Sequence, residues 1–227
     1  MTQGNSVEGA QSVCSGPHPL IIFDWSGVIS NDSKLAVAAI NSVLREECKD
    51  EITFDDISQG YSADPVAFLR KRGVVIDDFH TRYRKAFQGE PEPIPGAIRV
   101  VKEIAKNHKV VVFSTHPQEL LEKEAEAYGL NGVQVYGSVS KQFPSSVLET
   151  CLTGASRPDT MYFGDTSVDV DLANKTKLIS VGVCNPTYGY NTRSRILEAK
   201  PRYVLDDILE ASDLVRCVLN FGQKWFS

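Results

Sequence analysis

The sequence predicts an α/β protein: a parallel sheet flanked by helices, with an all-helical insertion near its start. Three observations carry that prediction. Short apolar runs alternate with helical patterns from residue 95 onward, an unbroken apolar run "LIIF" at 20–23 precedes them, and no convincing strand occurs between residues 33 and 92. Strand–helix alternation gives parallel strands, and crossover helices then cover both faces of the sheet. At 227 residues the chain suffices for one good-sized core plus a small second unit.

The elements follow in order. Residues 1–18 read as a disordered tail, because the first 17 are small and polar with neither the basic start nor the apolar stretch of a signal peptide. "LIIFD" at 20–24 reads as a buried strand ending on a carboxylate. Within 33–92, "SKLAVAAINSVLREE" places Ala36, Ile40, Val43 and Leu44 on one helix face. "DPVAFLRKRG" has an Asp cap, a Pro at the first helical position and a terminal Gly. "DDFHTRYRKAFQG" spaces Phe79, Tyr83 and Phe87 four apart, as the core stripe of a helical unit rather than a ligand platform. The proline-stiffened "GEPEPIPG" at 89–96 returns the chain to the sheet. Strands are then expected at 109–115, 132–138, 160–165, 177–183 and 202–205. The intervening helices are punctuated by Pro95, Pro117 and Pro144 in first turns and by Gly129 and Gly154 as left-handed caps. The organisation is therefore a Rossmann-like three-layer α/β/α core from 19–32 and 93–227, with a helical cap at 33–92 over the carboxyl edge of the sheet, where such sheets bind ligands.

Composition narrows the function. Hydrophobic residues are 42% and charged residues 23%, an ordinary globular balance. A net charge of −5 argues against nucleic acid or anionic membrane as partner, and no apolar run nears the roughly 20 residues that span a bilayer. The five cysteines are scattered without a CxxC pair, so neither a zinc site nor a disulfide framework is expected, and a reducing, cytoplasmic location fits. Oligomeric state is not legible.

The chemistry lies at the strand ends. Asp24 follows the first strand, Ser114 and Thr115 end the second, Lys141 lies past the third, and Asp165 and Asp169 lie at and beyond the fourth. A parallel sheet gathers such positions into one polar site. These residue types suit phosphoryl transfer: a carboxylate nucleophile, a hydroxyl and an ammonium for phosphate oxygens, and acids for a hard divalent cation. A carboxylate attacking a phosphate dianion is repelled by it, so compensating positive charge is required.

Four segments, "IIFDWSG", "VVVFST", "SVSKQF" and "YFGDTSVD", in this order and spread over about residues 19–216, resemble the motifs of the haloacid dehalogenase superfamily, in the branch with a helical cap inserted after the first strand. The resemblance implies an Mg²⁺-dependent phosphohydrolase acting on a small phosphorylated molecule. Asp24 would be the nucleophile that forms an aspartyl-phosphate, and Ser114, with Thr115 beside it, would hold phosphate. Lys141 would pair with the nucleophile and the phosphate. Mg²⁺ would be held by Asp24, Asp165 and the backbone carbonyl at Ser26, with Asp169 in the same acidic group and better suited to orienting water or ligands.

Ser26 is the chief departure. The family's phosphatases carry an aspartate there as general acid and base, and a serine hydroxyl titrates too high for that task near neutral pH. Val28 in place of a common threonine is milder. Two alternatives follow. Phosphonoacetaldehyde hydrolases also lack the second acid, but they use a cap lysine, and "GYSADPVAFL" has none, with Lys71 just beyond. The other alternative is a non-catalytic binder of phosphorylated ligands. "GDTSVD" speaks against a metal-free dehalogenase, and the absence of membrane segments against a P-type ATPase. Arg70, Lys71, Arg72, Arg82, Arg84 and Lys85 could recognise a distal anionic group of the substrate but read mainly as solvated helix faces, and His116 reads as a loop histidine able to touch substrate or stand in as an acid.

Overall fold

Leu20–Phe23 (β1) lies at the centre of a six-stranded parallel sheet in a computed structural model that describes residues 18–61, 64–141 and 144–222. All four of its side chains are apolar and buried, and that run leaves the strand no solvent face, which suits a central position. After β1 the chain forms the short strand Ser30–Asn31 (β2) and then four helices: Ser33–Glu46 (α1), Phe54–Gly60 (α2), Pro65–Lys71 (α3) and Phe79–Ala86 (α4). It returns through Glu92–Pro93 (β3) into Ala97–Ala105 (α5), Lys109–Phe113 (β4), Gln118–Ala127 (α6), Gln134–Tyr136 (β5) and Ser146–Cys151 (α7). Met161–Gly164 (β6), Ser167–Lys175 (α8), Ile179–Val183 (β7), Arg193–Glu198 (α9), Tyr203–Leu205 (β8) and Ala211–Gly222 (α10) complete the fold. The sheet order is β5-β4-β1-β6-β7-β8.

Period-two alternation sends the strands' side chains into two cores. Ile21, Phe23, Val110, Val112 and Phe163 pack with Val101 and Ile104 of α5, Leu121 of α6 and Val215 of α10. On the opposite face, Leu20, Ile22, Val111, Phe113 and Tyr162 pack with Leu148 of α7 and Leu172 of α8. This is the three-layer α/β/α arrangement the alternation predicts.

The details differ in instructive ways. His18, assigned by sequence to the tail, forms a parallel bridge with Ala155, and its carbonyl accepts from Ser156 N at 3.0 Å; the rest of that tail, 1–17, lies outside the described residues. The insertion is tied at its neck by a ribbon: β2 pairs antiparallel with β3, so residue 92 belongs to a strand and not to the helical unit. Helices begin later than their prolines. Pro95 and Pro144 precede the caps Gly96 and Ser145, and Pro117 is itself the cap. Ser145 takes the start of α7 because its hydroxyl accepts from Leu148 N at 3.2 Å. α2 escaped the periodicity altogether, since a seven-residue helix shows under two turns of pattern; its signal is the capping box of Thr53 with Asp56.

The helical unit has its own core, with Ile40, Val43 and Leu44 of α1 packed among Ile57, Phe68 and Phe79. Phe79, Tyr83 and Phe87 contact one another in sequence along α4 and its end, the first pair stacked and the second tilted, as the four-residue spacing predicts. The unit is fastened to the sheet on its far side too: Thr192 N donates to Ser58 O at 3.1 Å and Asn191 Nδ2 to Tyr61 O at 3.1 Å.

Candidate active site

β1 delivers Asp24 to the carboxyl edge of the sheet, where its N–H still donates to Phe163 O at 2.8 Å. The chain then turns sharply, with Trp25 O accepting from Ile29 N at 2.8 Å and Ser30 N at 2.9 Å. Gly27 makes that turn possible. Its φ is +75°, and a Cβ there would lie 2.1 Å from Asp165 Oδ2, so no side chain fits between the turn and β6. Gly164 does the same for Asp169, whose Cβ would be 2.2 Å from an added Cβ.

Lys141 stands between two carboxylates, Nζ at 2.5 Å from Asp24 Oδ1 and 2.9 Å from Asp169 Oδ1, all three groups buried. Asp169 is fully engaged otherwise. Its Oδ2 accepts from Thr166 N at 3.1 Å and Thr166 Oγ1 at 2.5 Å in the capping box of α8, and Oδ1 accepts from Tyr162 Oη at 3.2 Å. Asp165 accepts on Oδ2 from Tyr190 N at 2.5 Å, while its Oδ1 is buried without a hydrogen-bond partner among the described residues. Oxygens of Asp24, Asp165 and Asp169 lie within 4.8 Å of one another. Three carboxylates against one ammonium leave a buried excess of negative charge, and the orphaned Asp165 oxygen is the atom a cation would satisfy.

Burial comes first in the electrostatics, and the neighbouring charges modify it. Burial pushes the Asp24 carboxyl up to about 7, with Lys141 opposing and Asp169 adding to the rise. Asp165 is pushed well above the ordinary carboxylate range by burial first and then by Asp24 and Asp169. For Lys141 burial acts downward, but Asp169 and Asp24 outweigh it and hold the ammonium charged.

These groups open into a cavity of about 400 Å³ between sheet edge and helical unit, lined by Asp24, Ser26, Lys141 and Asp165 from below and by Tyr61, Asp64, His80, Tyr83 and Arg84 from above. Thr115 lines it. Ser114 is buried, and its Oγ accepts from His116 N at 3.1 Å. Of the basic residues of the insertion, Arg84 reaches the cavity. Arg82 pairs with Glu46 and Glu47, Arg72 pairs with Asp56, and Lys71 lines a separate hollow beside Asp55 and Asp56. The lysine in the larger cavity is Lys141, on the sheet side.

Ser26 does not face the cavity alone. Its hydroxyl donates to Asp32 Oδ2 at 2.6 Å, and Asp32 Oδ1 accepts from Tyr190 Oη at 3.0 Å. Sequence reasoning missed Asp32, because an acid just before a helix reads as a cap. Here its side chain makes no capping bond to α1 and turns to the site instead. Burial raises its carboxyl, while Ser26, His116 and Tyr190 oppose the rise. Tyr190, also missed, joins Asp165 and Asp32, and its ring lies tilted against Tyr61 of the helical unit with centroids 5.1 Å apart.

Residues 21–183 match the profile of the haloacid dehalogenase-like hydrolases. The chain belongs to that family. A phosphoglycolate phosphatase of Agrobacterium fabrum (strain C58 / ATCC 33970) is 22% identical over 210 residues, covering 83% of this chain and 88% of the relative. Two solved structures share the fold. A predicted phosphatase from Clostridium acetobutylicum superposes with a TM-score of 0.74 at 16% identity, covering 88% of this chain and 99% of the other. A haloacid dehalogenase-like family hydrolase from Streptococcus pneumoniae gives 0.71 at 18% identity, covering 87% and 98%. As a haloacid dehalogenase-like hydrolase, the protein is an enzyme, and no described helix is long and apolar enough to cross a membrane.

Proposed function

We propose that the protein is an Mg²⁺-dependent phosphohydrolase acting through an aspartyl-phosphate on a small phosphorylated molecule. The observation that carries this reading is Asp24 at the end of β1, 2.5 Å from a buried ammonium and grouped within 4.8 Å with Asp165, one of whose oxygens has no hydrogen-bond partner among the described residues. Asp24 attacks phosphorus, and Lys141 holds that carboxylate in place while offsetting phosphate charge. Asp169 anchors Lys141 and ties it to α8. Thr115 lines the cavity where the phosphate oxygens would sit, and Ser114, buried outside that lining, holds the backbone of His116. Mg²⁺, held by Asp24, Asp165 and the backbone carbonyl of Ser26, would neutralise the charge that otherwise repels the substrate. Residues 33–92 act as a cap whose Tyr61, Tyr83 and Arg84 form the roof of the cavity and exclude water.

A screen of phosphomonoesters and phosphonates, with and without Mg²⁺, tests the reading. Metal-dependent release of phosphate from esters supports it; release from phosphonates alone, or ligand affinity without turnover, overturns it. The metal assignment has its own check. Asp165→Asn is expected to weaken Mg²⁺ binding by about 10²-fold in titration calorimetry, because it removes one of the few anionic oxygens available to a hard cation. Equal affinities in the two proteins would refute it.

A further inference from the structure

The reaction needs a proton donor for the leaving oxygen, and Ser26 with its bound Asp32 is not the sole polar group near Asp24. On the other wall of the cavity His116 Nε2 lies 3.0 Å from Glu124 Oε1. The second oxygen of Glu124 accepts from Trp25 Nε1 at 2.7 Å, and Trp25 is the residue next to the nucleophile, stacked on Tyr128 at 5.2 Å. The backbone of His116 is fixed at both ends: its N–H donates to Ser114 Oγ at 3.1 Å, and its carbonyl accepts from Ser138 N at 2.7 Å. Phe87, just past α4, meets the ring edge-on at 5.9 Å.

We infer that His116, oriented by Glu124, is the catalytic acid and base that replaces the carboxylate missing at position 26. This rests on the phosphohydrolase reading. A carboxylate only accepts hydrogen bonds, so Glu124 fixes a proton on Nε2 and leaves Nδ1 for chemistry. Nδ1 has no hydrogen-bond partner among the described residues, and the residue lines the cavity that holds Asp24 and Lys141. In the first step the Asp24 oxygen–phosphorus bond forms, the phosphorus–alkoxide bond breaks, and the Nδ1 proton goes to the alkoxide, giving an alcohol. In the second step water attacks the aspartyl-phosphate and neutral His116 takes its proton. Inorganic phosphate leaves, and Asp24 and the imidazolium are restored. Burial disfavours the imidazolium, but the hydrogen bond and charge of Glu124, with the charges of Asp32 and Asp24, outweigh it and raise its proton affinity. His80 and Arg84 face the same cavity from α4, and Lys141 faces it from beyond β5. Glu124 is a positioning residue. Nothing in the chain pattern announces it, because it lies eight residues beyond His116, part-way along α6.

The test compares glycerol 2-phosphate, whose alkoxide needs a proton, with p-nitrophenyl phosphate, whose leaving group does not. His116→Gln is expected to lower kcat/KM for the alkyl ester by about 10²–10⁴-fold and for the aryl ester far less. The parent's alkyl-ester rate falls as pH rises through the raised titration of His116, and this limb should vanish in His116→Gln and persist in Asp32→Asn. Glu124→Gln should move the limb to lower pH and lower the ring titration of His116 followed by NMR, a readout that needs no turnover and stands even if His116→Gln folds poorly. Equal losses on both esters, a limb that survives His116→Gln, or an unmoved ring titration in Glu124→Gln would overturn the inference while leaving the phosphohydrolase reading intact. Failure of the parent to hydrolyse either ester with Mg²⁺ would overturn both.

Discussion

Asparagine at position 24 is expected to lower hydrolysis of alkyl and aryl phosphates alike by at least about 10⁴-fold, because in the proposed mechanism every later step passes through the bond this carboxylate makes to phosphorus. The substitution is nearly isosteric. The amide oxygen can still accept from Trp25 N, which lies 2.7 Å from Asp24 Oδ1, and Lys141 keeps Asp169 as a partner at 2.9 Å. It also removes one of three mutually repelling carboxylates, so the thermal midpoint of the metal-free protein should hold or rise. That combination separates lost chemistry from lost fold. The same variant should form no covalent phosphoenzyme when a labelled ester is mixed with protein and quenched. Retention of more than about a tenth of the parent rate with either ester would remove Asp24 from the nucleophile's role, since general structural disturbance costs far less than loss of the attacking group.

How far the sequence could be read depended on the range of the interaction. β1 was legible because four consecutive apolar residues have one physical explanation, burial on both faces. The gathering of Asp24, Lys141, Asp165 and Asp169 followed from parallel topology, which brings strand ends together whatever lies between them. The helical unit was legible as an interruption of the alternation, and α4 through its four-residue aromatic spacing. Contacts made by single side chains across long loops left no periodic trace. Asp32 occupies the position of a helix cap and declines the role, turning to Ser26 and Tyr190 instead. Tyr190 meets Asp32 across 158 positions. The aromatic stripe shows both sides of this. Its spacing gave the helix and the packing, yet Tyr83 also lines the cavity and Phe87 meets His116 edge-on, because one flank of that core stripe faces the cavity.

Methionine at position 141 is expected to destabilise the metal-free protein by about 3–5 kcal/mol at pH 8, the usual cost of removing one partner from a buried ion pair. Methionine fills most of the lysine's volume, so the loss comes from charge. Asp24 and Asp169 would remain buried with no ammonium, beside Asp165. The pH dependence follows from the same groups. The Asp24 carboxyl already titrates at about 7 in the fold against 3.8 as its ordinary value. A group so raised stabilises the fold fully below its unfolded value, and that contribution is lost as pH rises through the folded one. Without Lys141 the folded value climbs further, because the opposing positive charge is gone. The deficit of Lys141→Met should therefore be large at pH 8 and shrink by more than half near pH 5, where protons take over the neutralisation. In this size range 1 kcal/mol corresponds to about 2–4 °C, so thermal midpoints at pH 8 should differ by about 6–20 °C. Mg²⁺ should recover part of the difference by binding the folded state, while phosphate-ester turnover stays low because the ammonium facing the phosphate is missing. A deficit equal at pH 5 and pH 8 would mean that packing, and not charge, holds Lys141 in place. It would also sever the link between the buried ion cluster and the polarity of the site.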